Sequence, residues 1–318
     1  MNKIYLVIPC YNEEEVIYET SKRLKEKMIS LIDDKKISKD SKIIFVDDGS
    51  KDNTWSIIEE LKNYDKMFGG IKLSKNKGHQ NALLAGLMTV KDKCDAVISL
   101  DADLQDDISV IDKFIEKFNE GCQVVYGVRS ERKTDTFFKR NTAQMFYKLM
   151  NILGVDIIYN HADYRLMGGR ALDSLSEFKE VNLFLRGIVP LIGFKSDIVT
   201  YERNERFAGE SKYPLKKMLA FALEGITSFS VKPIRLVLII GIMMFLSSLA
   251  ALAYFLILWI NGYTIQGWTT VVASIWMLGG IQLLCLGVIG EYVGKIYTET
   301  KARPKYIIEK FVLDSEGK

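Results

Sequence analysis

The segment AVISLDADLQD (96–106) joins a short apolar run to a turn that carries two acidic residues two positions apart. The run at 96–100 is too short for a helix and predicts a buried strand. Asp101 and Asp103 follow it at once, so we expect both carboxylates at the end of that strand. Similar apolar runs recur on both sides of this segment, separated by stretches with helical spacing.

The predicted elements alternate between strands and helices over the first 130 residues. Strands are predicted at 4–8, 43–46, 70–73, 96–100 and 123–126, and helices at 13–33, 53–64, 78–90 and 108–118. Short apolar strands that are separated by helices are typical of βαβ units. The sequence therefore predicts an α/β fold with a mainly parallel sheet.

The composition hides a division of the chain into two parts. Of the 318 residues, 48% are hydrophobic and 26% are charged, and the net charge is only +3. So small a charge does not favour nucleic acid as a partner. The four cysteines are far apart and form no zinc spacing, which indicates reduced thiols. The charges are unevenly spread, because residues 236–290 contain no Asp, Glu, Lys or Arg.

Turn-forming residues at 261–267 divide this uncharged block into stretches at 236–260 and 268–290. At about 1.5 Å per residue, either stretch exceeds the roughly 30 Å hydrocarbon core of a bilayer. The sequence thus predicts two transmembrane helices, with a buried hairpin of a soluble protein as the alternative. Basic residues flank the block and are absent from the link, which predicts a multi-pass protein of the plasma (inner) membrane with both termini cytoplasmic.

We expect four regions along the chain. They are a cytoplasmic α/β domain at 1–213, an amphipathic juxtamembrane helix at 214–231, a two-helix membrane anchor at 232–294 and a cytoplasmic tail at 295–318. The helical spacing of apolar residues before the anchor fits a helix on the membrane surface, although packing on the domain core fits the pattern equally well. The tail is expected either to form a strand or to pack on a neighbouring subunit.

Polar clusters follow four of the predicted strands, at 9–13, 47–50, 74–79 and 101–105. The carboxyl ends of parallel strands line one edge of a sheet, so these clusters should converge. The carboxylates at 101–105 offer oxygen ligands to Mg²⁺ or Mn²⁺, which commonly bridge to a substrate diphosphate. A solvated turn is the alternative there, and a helix-capping turn is the alternative at 47–50.

The chain contains, in this order, the segments VIPCYNEEE (7–15), FVDDGSKDNT (45–54), NKGHQNALLAG (76–86) and SLDADLQD (99–106). Together they resemble the catalytic domain of glycosyltransferase family 2, which has the GT-A fold. The similarity continues at 127–132, 162–167 and 206–213. With the two predicted spans, the whole chain resembles the polyprenyl-phosphate glycosyltransferases, a group that includes bactoprenol glucosyltransferases and, less closely, dolichyl-phosphate mannose synthases.

The resemblance implies roles for individual residues. Contacts to the nucleotide-sugar are implied for Pro9, Tyr11, Glu13, Asp47, Asp48, Asp101, Ala102 and Asp103. Asp101 and Asp103 match the Mg²⁺ or Mn²⁺ element, with Asp103 as the first choice of direct ligand, and Gln105 lies near the sugar. Phosphate contacts are expected at Arg129, Arg206 and Lys212, together with Arg140 from the basic cluster around Arg129.

The general base is the least determined part of the predicted site. Asp163, in the segment ADYR (162–165), is the candidate base or a residue that orients the acceptor. A structural ion pair with Arg165 is the alternative. A phosphate monoester has a second pKa near 6, so a lipid phosphate is mostly a dianion at pH 7 and attacks without losing a proton. Asp163, Asp103 and Gln105 form the predicted catalytic set.

Together these observations predict a membrane-anchored inverting glycosyltransferase that moves glucose from UDP-glucose to undecaprenyl phosphate at the cytoplasmic face. Donors such as UDP-GlcNAc, UDP-galactose or GDP-mannose are alternatives, because a few pocket side chains decide the sugar. A processive polysaccharide synthase is disfavoured. Chains of that class resemble one another in a Gln-x-x-Arg-Trp element, and none of the four tryptophans here follows an arginine. A non-catalytic membrane scaffold with a nucleotide pocket is the alternative of another class. The resemblance also allows a homo-oligomer, either a dimer or a tetramer.

Overall fold

The computed structural model describes residues 1–130, 161–181, 184–202, 232–261 and 267–313. The chain divides into two compact units. The first comprises Met1–Tyr147, Asp156–Tyr213 and Arg303–Lys318, and the second comprises Lys148–Val155 and Pro214–Ala302. The first unit therefore contains residues from both ends of the chain.

The described strands of the first unit form one mixed sheet with the order β7-β5-β6-β4-β1-β2-β3-β8. They are β1 (Ile4–Cys10), β2 (Lys42–Asp47), β3 (Phe68–Leu73), β4 (Ala96–Ser99), β5 (Val124–Arg129), β6 (His161–Gly168), β7 (Ser196–Tyr201) and β8 (Ile308–Val312). Strands β1 to β4 are parallel at the centre, β7 is parallel to β5, and β6 runs in the opposite direction between β4 and β5. The α/β class and the mainly parallel sheet are confirmed.

Every residue of β1 and β2 is buried, which indicates that helices cover both faces of this sheet. The described helices of the first unit are α1 (Ile17–Asp33), α2 (Thr54–Tyr64), α3 (His79–Val90), α4 (Ile111–Asn119), α5 (Gly169–Ser176) and α6 (Leu185–Leu191). Two predicted helix starts were wrong. The chain first makes a turn in which Val16 N and Ile17 N both donate to Glu13 O, and a single 3₁₀ turn at Ile108–Val110 precedes α4.

Strands β6 and β7 were not predicted, each for a different physical reason, whereas a strand in the tail was one of two alternatives. Strand β6 carries Asp163 and Arg165, and the buried ion pair between them breaks the apolar pattern of a central strand. Strand β7 is exposed at alternate positions and lies at one edge of the sheet. Strand β8 pairs antiparallel with β3 at the other edge, so of the two alternatives for the tail the structure has the strand.

The second unit is described through two long helices, α7 (Lys232–Ile260) and α8 (Trp268–Lys301). Within the described residues, the segment Met277–Lys301 is long and apolar enough to cross a membrane, with a mean hydropathy of 1.5 and no buried part. This match rests on length and composition alone. Two helices stand where two spans were predicted, but one segment meets the criteria, so the two-span anchor stays a prediction.

Four of the sequence predictions fall on residues outside the described ranges. They are the amphipathic helix at 214–231 and the phosphate contacts Arg140, Arg206 and Lys212. All four therefore stay predictions.

Gly86 lies where α3 packs on β1 and β2. A Cβ atom at this position would stand 2.5 Å from Val7 Cγ1 and 2.8 Å from Val46 Cγ2. Both neighbours are β-branched and stiff at χ1, so they cannot swing away. We expect Gly86→Ala to lower the melting temperature of the purified protein by roughly 2–6 °C, because the overlap outweighs the gain in helix propensity. The control is Thr89→Ala on the same helix, which adds no atom. An unchanged or raised melting temperature for Gly86→Ala would contradict the packing described here.

Candidate active site

The register of the sheet brings the candidate residues to one edge. Cys10 pairs with Asp47, Ser99 with Arg165, and Arg129 with Tyr201. Because β6 is reversed, its first residues lie beyond the carboxyl end of β4, where the acidic turn begins. The loops after β1, β2 and β4, the end of β5 and the start of β6 therefore meet at this edge.

The turn after β2 is held by its own acidic side chains. Asp47 Oδ1 accepts a hydrogen bond from Ser50 N at 3.0 Å, and Asp48 accepts from Lys77 N at 2.7 Å and Gly78 N at 2.9 Å. Burial raises the pKa of both carboxyl groups. Asp48 thus fixes the loop before α3, a structural role that differs from the helix-capping turn considered for this segment.

Gly49 is required in this turn for two reasons. Its φ angle is +67°, and a Cβ atom would stand 2.7 Å from Asn76 N. Only glycine adopts such a backbone without strain and allows so close an approach.

The side chain of Asp47 has one oxygen atom, Oδ2, that is buried without a hydrogen-bond partner within the described residues. A buried unsatisfied oxygen at a candidate binding edge is a ready acceptor for a ligand N–H or O–H group.

The loop after β1 is tied to the loop after β2. Asn12 N donates to Ser50 Oγ at 3.0 Å, and Glu13 N donates to Thr54 Oγ1 at 2.9 Å. Pro9 is buried in β1, whereas Tyr11 and Glu13 are half-buried beside the loop after β2. The structure therefore brings Pro9, Tyr11, Glu13, Asp47 and Asp48 together.

Hydrogen bonds hold the acidic turn after β4 in place. Ala102 is buried and its carbonyl accepts from Thr20 Oγ1 at 2.7 Å, while Gln105 N donates to Asp103 Oδ1 at 3.2 Å. Leu104 has φ +57°, a conformation that side-chain-bearing residues rarely adopt. Asp101 and Asp103 remain half-buried, and Gln105 is buried.

The two carboxylates suit a hard divalent ion in chemical type, since Mg²⁺ is commonly held by one or two carboxylates together with substrate phosphates. Over the described ranges, no group of three or more His, Cys, Asp or Glu side chains could hold a metal ion. Asp101 and Asp103 fit such an ion by the chemistry of their oxygen atoms.

His79, the first residue of α3, joins the acidic turn to β6. Its Nε2 atom lies 3.6 Å from Asp101 Oδ1 and 3.5 Å from Asp163 Oδ2. Burial lowers the pKa of His79, but the hydrogen bond to Asp163 and the charge of Asp101 outweigh it and raise the pKa to about 9. Burial and the neighbouring carboxylates raise the pKa of Asp101 to about 6, although 33% of its side chain is exposed.

Asp163 is enclosed by cationic groups. It accepts from Arg165 at 2.5 Å, and Arg186 donates to both of its oxygens, at 3.3 Å from Nε and 3.2 Å from a terminal nitrogen. Burial opposes ionisation, yet Arg186, His79 and Arg165 hold the pKa of Asp163 well below its usual range. A carboxylate with so low a pKa is a weak base, so this geometry favours the orienting role over the base. The ion pair with Arg165, which the sequence left as an alternative, is present.

Arg129 is held by two residues that the sequence reading did not assign. Tyr201 OH donates to Asp106 Oδ1 at 2.5 Å, and Arg129 donates to Tyr201 OH at 3.2 Å and to Asp106 Oδ1 at 3.3 Å. Asp106 and Tyr201 are both buried. Asp106 lies within the segment SLDADLQD and could have been found there, whereas Tyr201 comes from an edge strand without a motif. Arg186 was likewise missed, because nothing in its local sequence marks a site.

A family model described as "Glycosyl transferase family 2" matches residues 5–175, more than half of the chain. The chain belongs to glycosyltransferase family 2. It is therefore a glycosyltransferase with the GT-A fold, as the segments at the sheet edge predicted. A second model, described as "GtrB C-terminal hairpin", matches residues 232–296, which include all of α7 and most of α8.

Curated relatives are similar along almost their whole length. An uncharacterized glycosyltransferase YkoT of Bacillus subtilis is 58% identical over 96% of this chain and 90% of its own. A prophage bactoprenol glucosyl transferase homolog of Escherichia coli is 42% identical over 97% of this chain and 99% of its own. Among solved structures, glucosyl-3-phosphoglycerate synthase from Mycobacterium tuberculosis with Mn²⁺, UDP-glucose and phosphoglyceric acid is 18% identical, with a TM-score of 0.44 over 71% of this chain and 78% of its own.

Tyr201→Phe removes the hydroxyl group that holds Arg129 against Asp106. A hydrogen bond to a charged group contributes about 1.5–3 kcal/mol, so we expect glycosyl transfer to fall roughly 10-fold in kcat/KM for the nucleotide-sugar. The matched control is Tyr164→Phe, in which another buried tyrosine loses a hydrogen bond, the one from its hydroxyl group to Asp107 O. Equal losses in the two variants would show that the effect is one of stability and not of Arg129 placement.

Proposed function

We propose that this glycosyltransferase transfers glucose from UDP-glucose to undecaprenyl phosphate, with inversion at the anomeric carbon. The observation that carries the proposal is the meeting of three features at one sheet edge. They are the acidic turn with Asp101 and Asp103, Arg129 at Asp106, and the arginine pair at Asp163. Transfer between a diphosphate donor and a phosphate acceptor brings several negative charges together, which such an edge can offset. Relatives named bactoprenol glucosyl transferase support the acceptor class.

The donor nucleoside is proposed to bind at the loops after β1 and β2. Asp47 Oδ2 would accept a hydrogen bond from the base or ribose, which gives that buried oxygen the partner it lacks. Tyr11 and Glu13 are proposed to border the same place, and the peptide at Pro9 is proposed to form part of its floor. Asp48 would act through the loop at Lys77 and Gly78, whose backbone it fixes.

The diphosphate is proposed to lie at Asp101, Ala102 and Asp103, which would hold Mg²⁺ or Mn²⁺. A bound divalent ion there would offset charge on the leaving diphosphate. Arg129, oriented by Asp106 and Tyr201, would contact the same phosphates. Arg140, Arg206 and Lys212 are proposed as further phosphate contacts, and Gln105 is proposed to contact the sugar.

The acceptor phosphate attacks the anomeric carbon directly, forms the new C–O bond and displaces the nucleoside diphosphate in one step, which inverts that centre. No proton needs to leave a dianionic phosphate. Asp163 is therefore proposed to orient its cationic neighbours and not to act as a base. Binding both substrates at one edge supplies much of the rate by proximity.

Helices α7 and α8 are proposed as a membrane anchor that keeps the first unit near the lipid acceptor. The basic residues Lys232 and Arg235 at the start of α7, and those at the end of α8, support a cytoplasmic location of both termini under the positive-inside rule. The plasma membrane is the proposed location, because the acceptor lipid cannot leave the bilayer. The helix at 214–231 would lie on the membrane surface, and a dimer or a tetramer is compatible with this arrangement.

Membranes that contain the full chain should convert labelled UDP-glucose and undecaprenyl phosphate into a labelled lipid in the presence of Mg²⁺ or Mn²⁺. The expected product is an acid-labile glucosyl phospholipid, identified by mass spectrometry. UDP-GlcNAc, UDP-galactose and GDP-mannose are assayed in parallel, and faster turnover of one of them would replace glucose in the proposal. Absence of any lipid-linked sugar with all four donors would refute the proposed function.

Asp103→Asn tests the metal element. We expect transfer to fall on the order of 100-fold, because a carboxylate ligand is lost where charge must be offset. Asp107→Asn in the same turn is the matched control, since an asparagine oxygen can still accept from Ser109 N. Full turnover of Asp103→Asn at every Mg²⁺ and Mn²⁺ concentration would exclude Asp103 as a ligand.

A further inference from the structure

Arg186 is placed in the site by contacts that its local sequence does not reveal. It is the second residue of α6, and the start of that helix is fixed from two sides. Leu185 N donates to Gln80 Oε1 at 2.9 Å, and Leu185 O accepts from Arg165 at 3.4 Å. The position of Arg186 is therefore set by α3 and β6 together.

The side chains around Asp163 become more exposed in the order Arg165, Asp163, Arg186. Arg165 is 2% exposed and Asp163 is 10% exposed, whereas Arg186 is 31% exposed. The buried Arg165 Nε has no hydrogen-bond partner within the described residues. Arg165 thus forms the base of the cluster, and Arg186 is its solvent-facing end.

Two guanidinium groups share one carboxylate in this cluster. A guanidinium is charged at every pH that the folded protein tolerates, so Asp163 alone does not neutralise both. The two contacts from Arg186 to Asp163 occupy one edge of its guanidinium plane and thereby orient the other edge. A planar guanidinium held in this way is suited to a bidentate contact with phosphate oxygens.

Arg186 and Arg129 contact different carboxylates. Arg186 is linked through Asp163 and His79 to Asp101, whereas Arg129 contacts Asp106, farther along the acidic turn. A single displacement needs the entering phosphate and the leaving diphosphate on opposite faces of the sugar. Arg129 and Arg186 at one edge therefore fit two separate phosphate groups.

We infer that Arg186, oriented by Asp163, forms a phosphate-monoester subsite that receives the headgroup of the lipid acceptor. The inference rests on the proposed function and adds a residue that contacts the nucleophile. It assigns the entering phosphate to Arg186 and the leaving diphosphate to Arg129.

The test measures binding without turnover, on the full chain in nanodiscs. Farnesyl phosphate serves as the lipid phosphate monoester, UDP with Mg²⁺ as the diphosphate, and inorganic phosphate as the free headgroup. We expect Arg186→Gln to weaken farnesyl phosphate binding about 10-fold or more and to leave UDP binding within about 2-fold. Inorganic phosphate should compete with farnesyl phosphate in the unmodified protein and should compete less in Arg186→Gln.

The controls separate binding from folding. Arg170→Gln changes an exposed arginine of α5 that stacks on Phe194 and should alter neither affinity. Arg186→Lys keeps the charge without the planar contact, and its farnesyl phosphate affinity should lie between those of the unmodified protein and Arg186→Gln. If Arg186→Gln fails to fold, the lysine variant decides the question, and its affinity must still fall.

Three results would overturn the inference: unchanged farnesyl phosphate binding in the folded variant, an equal loss of UDP binding, or a failure of inorganic phosphate to compete. Two further results distinguish a failure of the proposed function from a failure of the subsite. Phosphate binding that depends on Arg186 without transfer from any donor would remove the function and keep the subsite. Transfer with an unchanged lipid KM in Arg186→Gln would keep the function and remove the subsite.

Discussion

The ion pair between Asp163 and Arg165 makes the reversed strand β6 compatible with the centre of the sheet. Both residues are buried, and their side chains lie on the same face of the strand because they are two positions apart. Either charge alone would cost several kcal/mol in this place, whereas the pair at 2.5 Å offsets that cost. The start of β6, and with it Asp163, is thereby held beside the acidic turn after β4.

The same pair explains which parts of the fold could be predicted from the sequence. Strands β1 to β5 are short apolar runs, and their periodicity indicates them directly. Strand β6 contains two buried charges, so hydrophobic pattern alone argues against it, and its pairing with β4 and β5 makes it a strand. The acidic residues of the site follow recognisable strands and were found. Arg186 and Tyr201 reach the site from a short helix and an edge strand, and no local pattern places them there.

Strand β8 shows how the last part of the chain completes the first unit. It covers the edge of β3, where unpaired backbone groups would otherwise invite association with another chain. The salt bridge between Lys72 and Glu309 and the hydrogen bond from Ser74 N to Ile307 O fix its register. Ser74 lies just before the loop that Asp48 holds. The C-terminal segment therefore supports the strand that leads into His79.

The opposite charges of the site are paired with one another. Asp101 faces His79, Asp163 faces Arg165 and Arg186, and Asp106 faces Arg129. Each cation is therefore oriented by a carboxylate of the protein itself. Electrostatic stabilisation is most effective when such groups need not reorganise during the reaction. Removing a carboxylate from one of these pairs should then impair transfer through the arginine it orients, even where that carboxylate never touches a substrate.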